Sequence, residues 1–315
     1  MLLYSKVIHV KKKRKIKTKN FLIFIICILL IIISITYGIK KLETTNKKND
    51  KNSTEEKNTK TNNNKDNSKE EKELTELKKA KKDLDYYIDE NTEKYQEYRN
   101  KNKDLSIEKV ITNVNIGLND AYYTNTKESK YQNTYKILVN KYNYVTEKYI
   151  PENLEAVSSE YSSKSLKLVS YAKEAFQEMA KAAKSENYTI RAMSSYRDYA
   201  YQNTLYNNYA KRDGYEAADT YSARPGYSEH QTGLAVDIDN GKEYFTNFEK
   251  TKEFTWMQEN AYKFGFILRF PENKVTETGY QYESWHYRYV GKEIAKYIHD
   301  NDLCFEEYYA RFLIK

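Results

Sequence analysis

Hydrophobic and polar positions divide the chain into stretches of very different texture. Residues 21–39, FLIFIICILLIIISITYGI, are apolar and uncharged. At helical rise this run reaches about 28 Å, close to the hydrocarbon thickness of a bilayer, so it predicts a membrane-spanning helix. Residues 40–72 carry almost no apolar side chain. Such a segment cannot bury enough surface to offset chain entropy and predicts a disordered tether. Over 73–102, Leu74, Leu77, Leu84, Ile88, Tyr95 and Tyr98 recur at a 3–4 spacing interrupted by Lys81 and Asn91. That pattern predicts a helical stalk or dimer contact, or an amphipathic helix packing on its own domain.

From about Leu105 the texture is globular, and 103–315 is long enough for one domain with a sizeable core. A strand is expected at 136–140, with Pro151 punctuating the connection behind it. A helix is expected over 165–184, its buried stripe formed by Leu166, Val169, Ala172, Phe176, Met179 and Ala183. Further strands are predicted at 188–193, 233–238 and 266–270, and further helices at 199–209, 254–264 and, closing the domain, 294–300. Without a βαβ rhythm the class is α+β, a small and mostly antiparallel sheet flanked by helices.

Charge changes the picture at the N-terminus. The formal net charge of +8 would suit a polyanion partner, but much of it sits in 1–20, at Lys11, Lys12, Lys13, Arg14, Lys15, Lys17 and Lys19 beside the apolar run. There it acts as a topology determinant that stays cytoplasmic and places everything after Lys40 outside. The other basic residues are interleaved with acids, so no nucleic-acid partner is expected. The apolar run exceeds the about 7–15 residues of a signal-peptide core, and no A-x-A-like site follows, which predicts an uncleaved single-pass anchor in the cell membrane. Cys27 follows Ile26 rather than a small residue and reads as membrane-facing. Cys304 falls on the other side of the bilayer, so the two cannot pair, which fits a bacterial surface protein.

Histidine is scarce, at positions 9, 230, 286 and 299. His9 is expected in the cytoplasm and His299 on a solvent-facing helix. His230 lies in Ser228-Glu229-His230-Gln231-Thr232-Gly233-Leu234-Ala235-Val236-Asp237, and His286 in Glu283-Ser284-Trp285-His286-Tyr287-Arg288. Two imidazoles and a carboxylate are the inventory of a catalytic zinc, with a fourth position left open. Asp237 inside an apolar run needs a partner, and a cation supplies one. Glu283, three residues before His286, suits a general base. Each piece alone has a plainer reading. A lone histidine is commonly structural, Glu-x-x-His recurs in ordinary helices, and Asp237 with Asp239 fits a calcium-type loop. Arg197 by itself reads as a surface partner of Asp198 or a helix-end charge.

The flanking residues narrow the choice. Ser228, His230, Gly233, Ala235 and Asp237 meet the motif S-x-H-x-x-G-x-A-x-D, Glu283, Trp285 and His286 meet E-x-W-H, and Tyr196, Arg197 and Gln202 meet a third signature. From about Ile137 to Lys315 the chain resembles the VanY-type D-alanyl-D-alanine carboxypeptidases of the lysostaphin, D-Ala-D-Ala peptidase and hedgehog metallopeptidase group. The resemblance implies Zn2+ on His230, Asp237 and His286 at the open face of the sheet, with Glu283 as general base. It further implies that Arg197, Gln202 and Ser228 gather the substrate's terminal carboxylate or scissile carbonyl, with Trp285 as a pocket wall. Arginine's planar fork suits that carboxylate. The implied activity is D,D-carboxypeptidase action on peptidoglycan stem peptides outside the membrane. Phe270 departs from the tyrosine of many relatives and leaves L,D-carboxypeptidase action on tetrapeptide stems as the alternative. A non-catalytic wall-peptide-binding module is the rival from another class, disfavoured because Glu283 and all three ligands are present.

Overall fold

The computed structural model describes residues 75–315, which fall within the compact unit Asn67–Lys315. The basic segment 1–20, the span 21–39, the tether 40–72, His9, Cys27 and Leu74 lie outside the described residues. Among those described, no helix is long and apolar enough to cross a membrane.

Three strands already expected, near 191–194, 235–239 and 266–268, join one that was not, at 286–289, in the central sheet. β5 (Arg191–Ser194), β6 (Ala235–Asp239), β7 (Phe266–Leu268) and β8 (His286–Tyr289) form a four-stranded antiparallel sheet in the order β5-β6-β8-β7. Two small ladders flank it: β1 (Lys127–Glu128) runs parallel to β2 (Asn143–Tyr144), and β3 (Leu154–Ala156) antiparallel to β4 (Lys167–Val169). Period-2 alternation sorts the central strands into two faces. Val236, Ile238, Tyr287 and Phe266 enter the main core, which the helix Ser170–Ser185 closes with Ala172, Phe176, Met179 and Ala183. The opposite face carries Ala235, Asp237, His286 and Arg288, paired across β6 and β8 as Asp237 with His286 and Ala235 with Arg288.

Several elements differ from expectation for identifiable reasons. The stripe of 165–184 is buried throughout, but Leu166 and Val169 belong to the β3–β4 ladder region and not to the helix. The Val169 N–H donates to the Gly233 carbonyl and the Ser170 N–H to the Asn153 carbonyl, both at 2.9 Å, which fixes an extended backbone up to the helix start. Residues 136–140 are not a strand. Ile137 is fully buried, yet its carbonyl accepts from Arg288 Nη2 at 2.7 Å and that of Leu138 accepts from Ser129 Oγ at 2.6 Å, so side chains take the place of a ladder. The strand expected at 188–193 starts only at Arg191, and the helix expected over 254–264 turns 3-10 at Ala261–Phe264 before Gly265.

The helix Lys292–Asp300 does not close the domain. Phe305–Phe312 follows, with Phe305, Tyr309 and Leu313 joining Ile294 and Ile298 in a second core. The segment 73–102 is not one stalk helix. Residues 75–83 and Thr92–Lys101 are separate helices that pack through Leu77 and Tyr95, with Tyr87 of the turn between them, on the helix Ile107–Ile116. Tyr95 donates its hydroxyl to Asn115 Oδ1 at 2.7 Å, and Asn115 Nδ2 donates to the Tyr86 carbonyl at 2.9 Å. This is the reading in which the segment packs on its own domain.

Candidate active site

Three short elements bring the charged groups together. A 3-10 turn, Glu229–Thr232, ends at Gly233, whose φ of +67° is open to glycine at little cost. A Cβ there would also meet Leu154 Cδ2 at 2.8 Å, so the turn lies directly on the β3–β4 ladder. The turn is pinned by Thr232 Oγ1, which donates to the Glu229 carbonyl at 2.5 Å, and by Gln231 Nε2, which donates to the Thr146 carbonyl at 3.0 Å. It delivers His230 to the sheet face where Asp237 and His286 are direct cross-strand neighbours.

The resulting geometry is tight. His230 Nε2 is 3.4 Å from Asp237 Oδ2, and His286 Nδ1 is 3.3 Å from Asp237 Oδ1 and 3.4 Å from Glu283 Oε2. One candidate ligand atom from each of His230, Asp237 and His286 lies within 4.8 Å of the others, and all three residues are buried. The second nitrogen of each ring is also accounted for. His230 Nδ1 is 2.7 Å from the Ser195 carbonyl and donates to it, which leaves Nε2 with a lone pair toward the cluster. His286 Nε2 faces Glu229 Oε2 at 3.7 Å, leaving Nδ1 for the cluster.

Burial decides much of the electrostatics. It pushes His230 down to about 4, aided by the charge of Arg197, so this ring is neutral at neutral pH. Burial also raises the Glu283 carboxyl against the pull of His286. For Asp237 burial opposes ionisation, but the facing imidazoles outweigh it and hold the acid well below its usual range. For His286 burial opposes the charge, and the Asp237, Glu229 and Glu283 carboxylates outweigh it and raise the imidazole. With His230 neutral, the positive charges facing Asp237 are those of His286 and of Arg197, whose Nη1 lies 3.6 Å from Oδ2. A buried anionic cluster that raises an imidazole in this way is suited to a metal cation, which would displace the ring proton. Asp237 Oδ1 is buried without a hydrogen-bond partner, and two nitrogens with a carboxylate oxygen are a normal zinc donor set. The residues fit the ion.

The other expected residues surround this cluster. A cavity of about 570 Å³ is lined by Arg197, Ser228, Phe270, Glu283 and Trp285 together with His230, Asp237 and His286. Arg197 Nε donates to Gln202 Oε1 and Nη1 to Ser194 Oγ, both at 3.1 Å, while Nη1 is 3.6 Å from Asp237 Oδ2. Gln202 lines the cavity too, but its Nε2 donates to the Ala223 carbonyl at 2.7 Å, so its amide is engaged in holding Arg197. Asp198 caps the helix Tyr199–Asp213 by accepting from the Tyr201 N–H, in place of pairing with Arg197. Trp285 meets Phe245 edge-on at 5.0 Å, and the Phe270 ring lies 4.8 Å from both His286 and Tyr280. Asp239 is turned away on Arg191, 3.0 Å from its Nε, so Asp237 and Asp239 form no calcium-type pair. His299 is exposed as expected and stacks on Tyr262 at 3.8 Å.

Sequence reasoning overlooked a buried ionic layer behind His286. Glu229 Oε1 accepts from Arg269 Nε at 2.7 Å and from Arg288 Nη1 at 2.8 Å, and Arg269 also forms a bidentate pair with Glu306 at 2.8 and 2.6 Å. The available signal was alternation: Arg288 follows His286 by two residues and must share its buried face.

Comparison with known proteins identifies the family. The family model described as VanY: D-alanyl-D-alanine carboxypeptidase matches residues 165–292. The putative carboxypeptidase YodJ of Bacillus subtilis is 41% identical over 212 residues, covering 63% of this chain and 78% of that protein. A D-alanyl-D-alanine carboxypeptidase of Enterococcus faecalis is 50% identical over 91 residues, covering 29% of this chain and 33% of that protein. Among solved structures, the LdcB LD-carboxypeptidase superposes with a TM-score of 0.52 at 42% identity, covering 55% of this chain and 85% of that one. Because the likeness to YodJ spans most of that protein, and the family match falls on the turn and strands that assemble the cluster, the chain belongs to the VanY family of D-alanyl-D-alanine carboxypeptidases.

Proposed function

We propose that this carboxypeptidase is zinc-dependent and removes the terminal D-alanine from peptidoglycan stem peptides, acting as a D,D-carboxypeptidase. The observation that carries the reading is the convergence of His230, Asp237 and His286 with buried Glu283 and with Arg197 in one cavity. A zinc ion held by the three ligands would polarise the scissile carbonyl and acidify water. Arg197, held by Gln202 and Ser194, binds the free C-terminal carboxylate and sets the reach of the chain end. Glu283, its affinity for protons increased by burial, takes a proton from the attacking water and passes it to the leaving amine. Ser228 orients the substrate, and Trp285 and Phe270 wall the pocket and exclude water.

A second reading, L,D-carboxypeptidase action on tetrapeptide stems, is favoured by one observation, the likeness to the LdcB LD-carboxypeptidase. We further propose that residues 21–39 anchor the chain in the cell membrane with the catalytic domain outside, since stem peptides are found there. Protease treatment of intact protoplasts tests that placement, and resistance of residues 75–315 would refute it. The activity is tested on the full chain with muropeptides ending in D-Ala-D-Ala or in one D-Ala, followed by mass spectrometry with and without chelator. Loss of one alanine that stops with chelator supports the zinc carboxypeptidase, and the preferred substrate separates D,D from L,D. Zinc binding without any alanine loss would point to a wall-peptide-binding module.

A further inference from the structure

We infer that Glu229 is a positioning residue that fixes which nitrogen of His286 faces the metal, and that it is held in place by the C-terminal helix Phe305–Phe312 through Arg269. The inference rests on the zinc reading above.

The two oxygens of Glu229 have separate tasks. Oε1 accepts from both arginines, while Oε2 is buried, lacks a hydrogen-bond partner and lies 3.7 Å from the equally unpartnered His286 Nε2. A carboxylate behind a ligand histidine accepts the ring's outer N–H, fixes the tautomer and makes the inner nitrogen a better donor. Here the outer nitrogen is Nε2, so Nδ1 faces Asp237 and Glu283. His230 is arranged the opposite way, with Nδ1 on the Ser195 carbonyl and Nε2 inward. The two ligand histidines therefore use different nitrogens.

Glu229 cannot turn away from this task. Arg288 is fixed by the Ile137 carbonyl at 2.7 Å, and Arg269 by both oxygens of Glu306, whose Oε1 also accepts from Asn140 Nδ2 at 3.2 Å. Glu229, Glu306, Arg269 and Arg288 balance as two anions and two cations, all four buried. Glu306 lies in the helix Phe305–Phe312, beyond the residues matched by the family model. That helix is held in turn by Lys109, which donates to Glu307 Oε1 at 2.7 Å and bonds Glu277. The metal site is thus supported by residues on both sides of the matched segment.

Replacement by glutamine makes a specific disturbance. Two arginine donors keep an oxygen at the Oε1 position, so the amide NH2 falls opposite His286 Nε2, donor facing donor. The ring must then lose its good contact or adopt the other tautomer, which protonates the nitrogen intended for zinc.

The test uses the full chain, zinc competition against a chromophoric chelator, and ring spectra of the 15N-histidine-labelled protein loaded with zinc. For Glu229→Gln the expected result is a loss of about 10–100-fold in zinc affinity. Asp239→Asn, which breaks the Arg191 pair on the same sheet, should lower thermal stability and leave affinity unchanged. Zinc affinity of Glu229→Gln within about twofold of wild type would overturn the inference, as a purely structural role predicts. If that variant does not fold, the wild-type spectrum decides. The two zinc-shifted imidazoles should carry opposite protons, one Nδ1–H and one Nε2–H, and two alike would overturn the assignment. Failure of the wild type to bind zinc would refute the functional reading itself, an outcome distinct from these.

Discussion

The two faces of the central sheet use the same strands for opposite ends. On one, Val236, Ile238, Tyr287 and Phe266 pack with Phe176 and Met179 in the main core, where each buried side chain favours folding. On the other, one residue along the chain, Asp237, His286 and Arg288 are buried with Glu229, Glu283 and Arg269, where each charge is costly unless a partner meets it. The difference teaches where to look for function. An apolar face is explained by the fold it stabilises. A buried polar face that gathers Asp237 Oδ1, His286 Nε2 and Glu229 Oε2 without hydrogen-bond partners is not, and the zinc site proposed above would offset part of its cost.

Substitutions on each face should break this division cleanly. The largest effect on activity is expected for Glu283→Gln, a near-isosteric change that removes the proton carrier. Turnover of the alanyl peptide should fall by about 10²–10⁴-fold, while zinc affinity and melting temperature hardly change. Retention of more than a tenth of wild-type turnover would take Glu283 out of the proton-transfer role. The counterpart on the apolar face is Phe176→Ala. Phe176 is fully buried against Phe266, with ring centroids 6.3 Å apart, and its loss should cost about 3–5 kcal/mol by chemical denaturation. The fraction that remains folded should keep normal turnover. A comparable fall in turnover per folded molecule would show that the faces are not separable.

How much of this was legible in the sequence follows from the same division. That the candidate ligands, Glu283 and Arg197 come together was legible because each has a chemistry that few residue types supply, and the flanking motifs fixed their spacing. The apolar stripe Ala172, Phe176, Met179 and Ala183 was legible from period alone. The first turn of that helix was not, because Val169 satisfies a helical stripe and a strand equally well, and the tie was broken by the distant Gly233 carbonyl. The strand expected at 136–140 failed for a similar reason, since Arg288 and Ser129 take the Ile137 and Leu138 carbonyls that a ladder would have used. Glu229, Arg269 and Glu306 were missed because an ionic network joins residues far apart in sequence, and no local pattern announces which charges will be buried together.

Lys141 sharpens the comparison by offering a buried charge that faces no carboxylate within bonding distance. Its ammonium donates to the Asp219 carbonyl at 2.7 Å and sits over the rings of Tyr122 at 4.4 Å and Tyr280 at 4.5 Å. Burial pushes it down to about 8. Between about 8 and the unfolded value of about 10.4, the unfolded chain binds more protons, so stability rises with pH across that window. Below it the full penalty of the buried charge is present. Relative to Lys141→Met, the wild type should gain about 2 kcal/mol between pH 7.5 and 9.5, and the difference cancels the titration of neighbouring tyrosines. A gap between the two proteins that stays constant with pH would show that the lysine is not strained by its burial.

The smallest expected effect probes how well the faces are insulated from each other. Ile238 is fully buried in the main core and adjoins Asp237, whose side chain lies on the opposite face. Ile238→Val deletes one methylene from close packing and should cost about 0.5–1.5 kcal/mol of stability. Asp237 is held independently of that methylene, by the cross-strand pairing with His286 and Ser194 and by the charges that face it. Zinc affinity and turnover should therefore match wild type within about twofold, well under the tenfold that 1.4 kcal/mol transmitted to the site would produce. A fall in zinc affinity proportional to the lost stability would mean that core packing sets the ligand geometry through the strand itself. Unchanged affinity would mean that the polar face fixes its own geometry, through the same ionic layer that holds Glu229 behind His286.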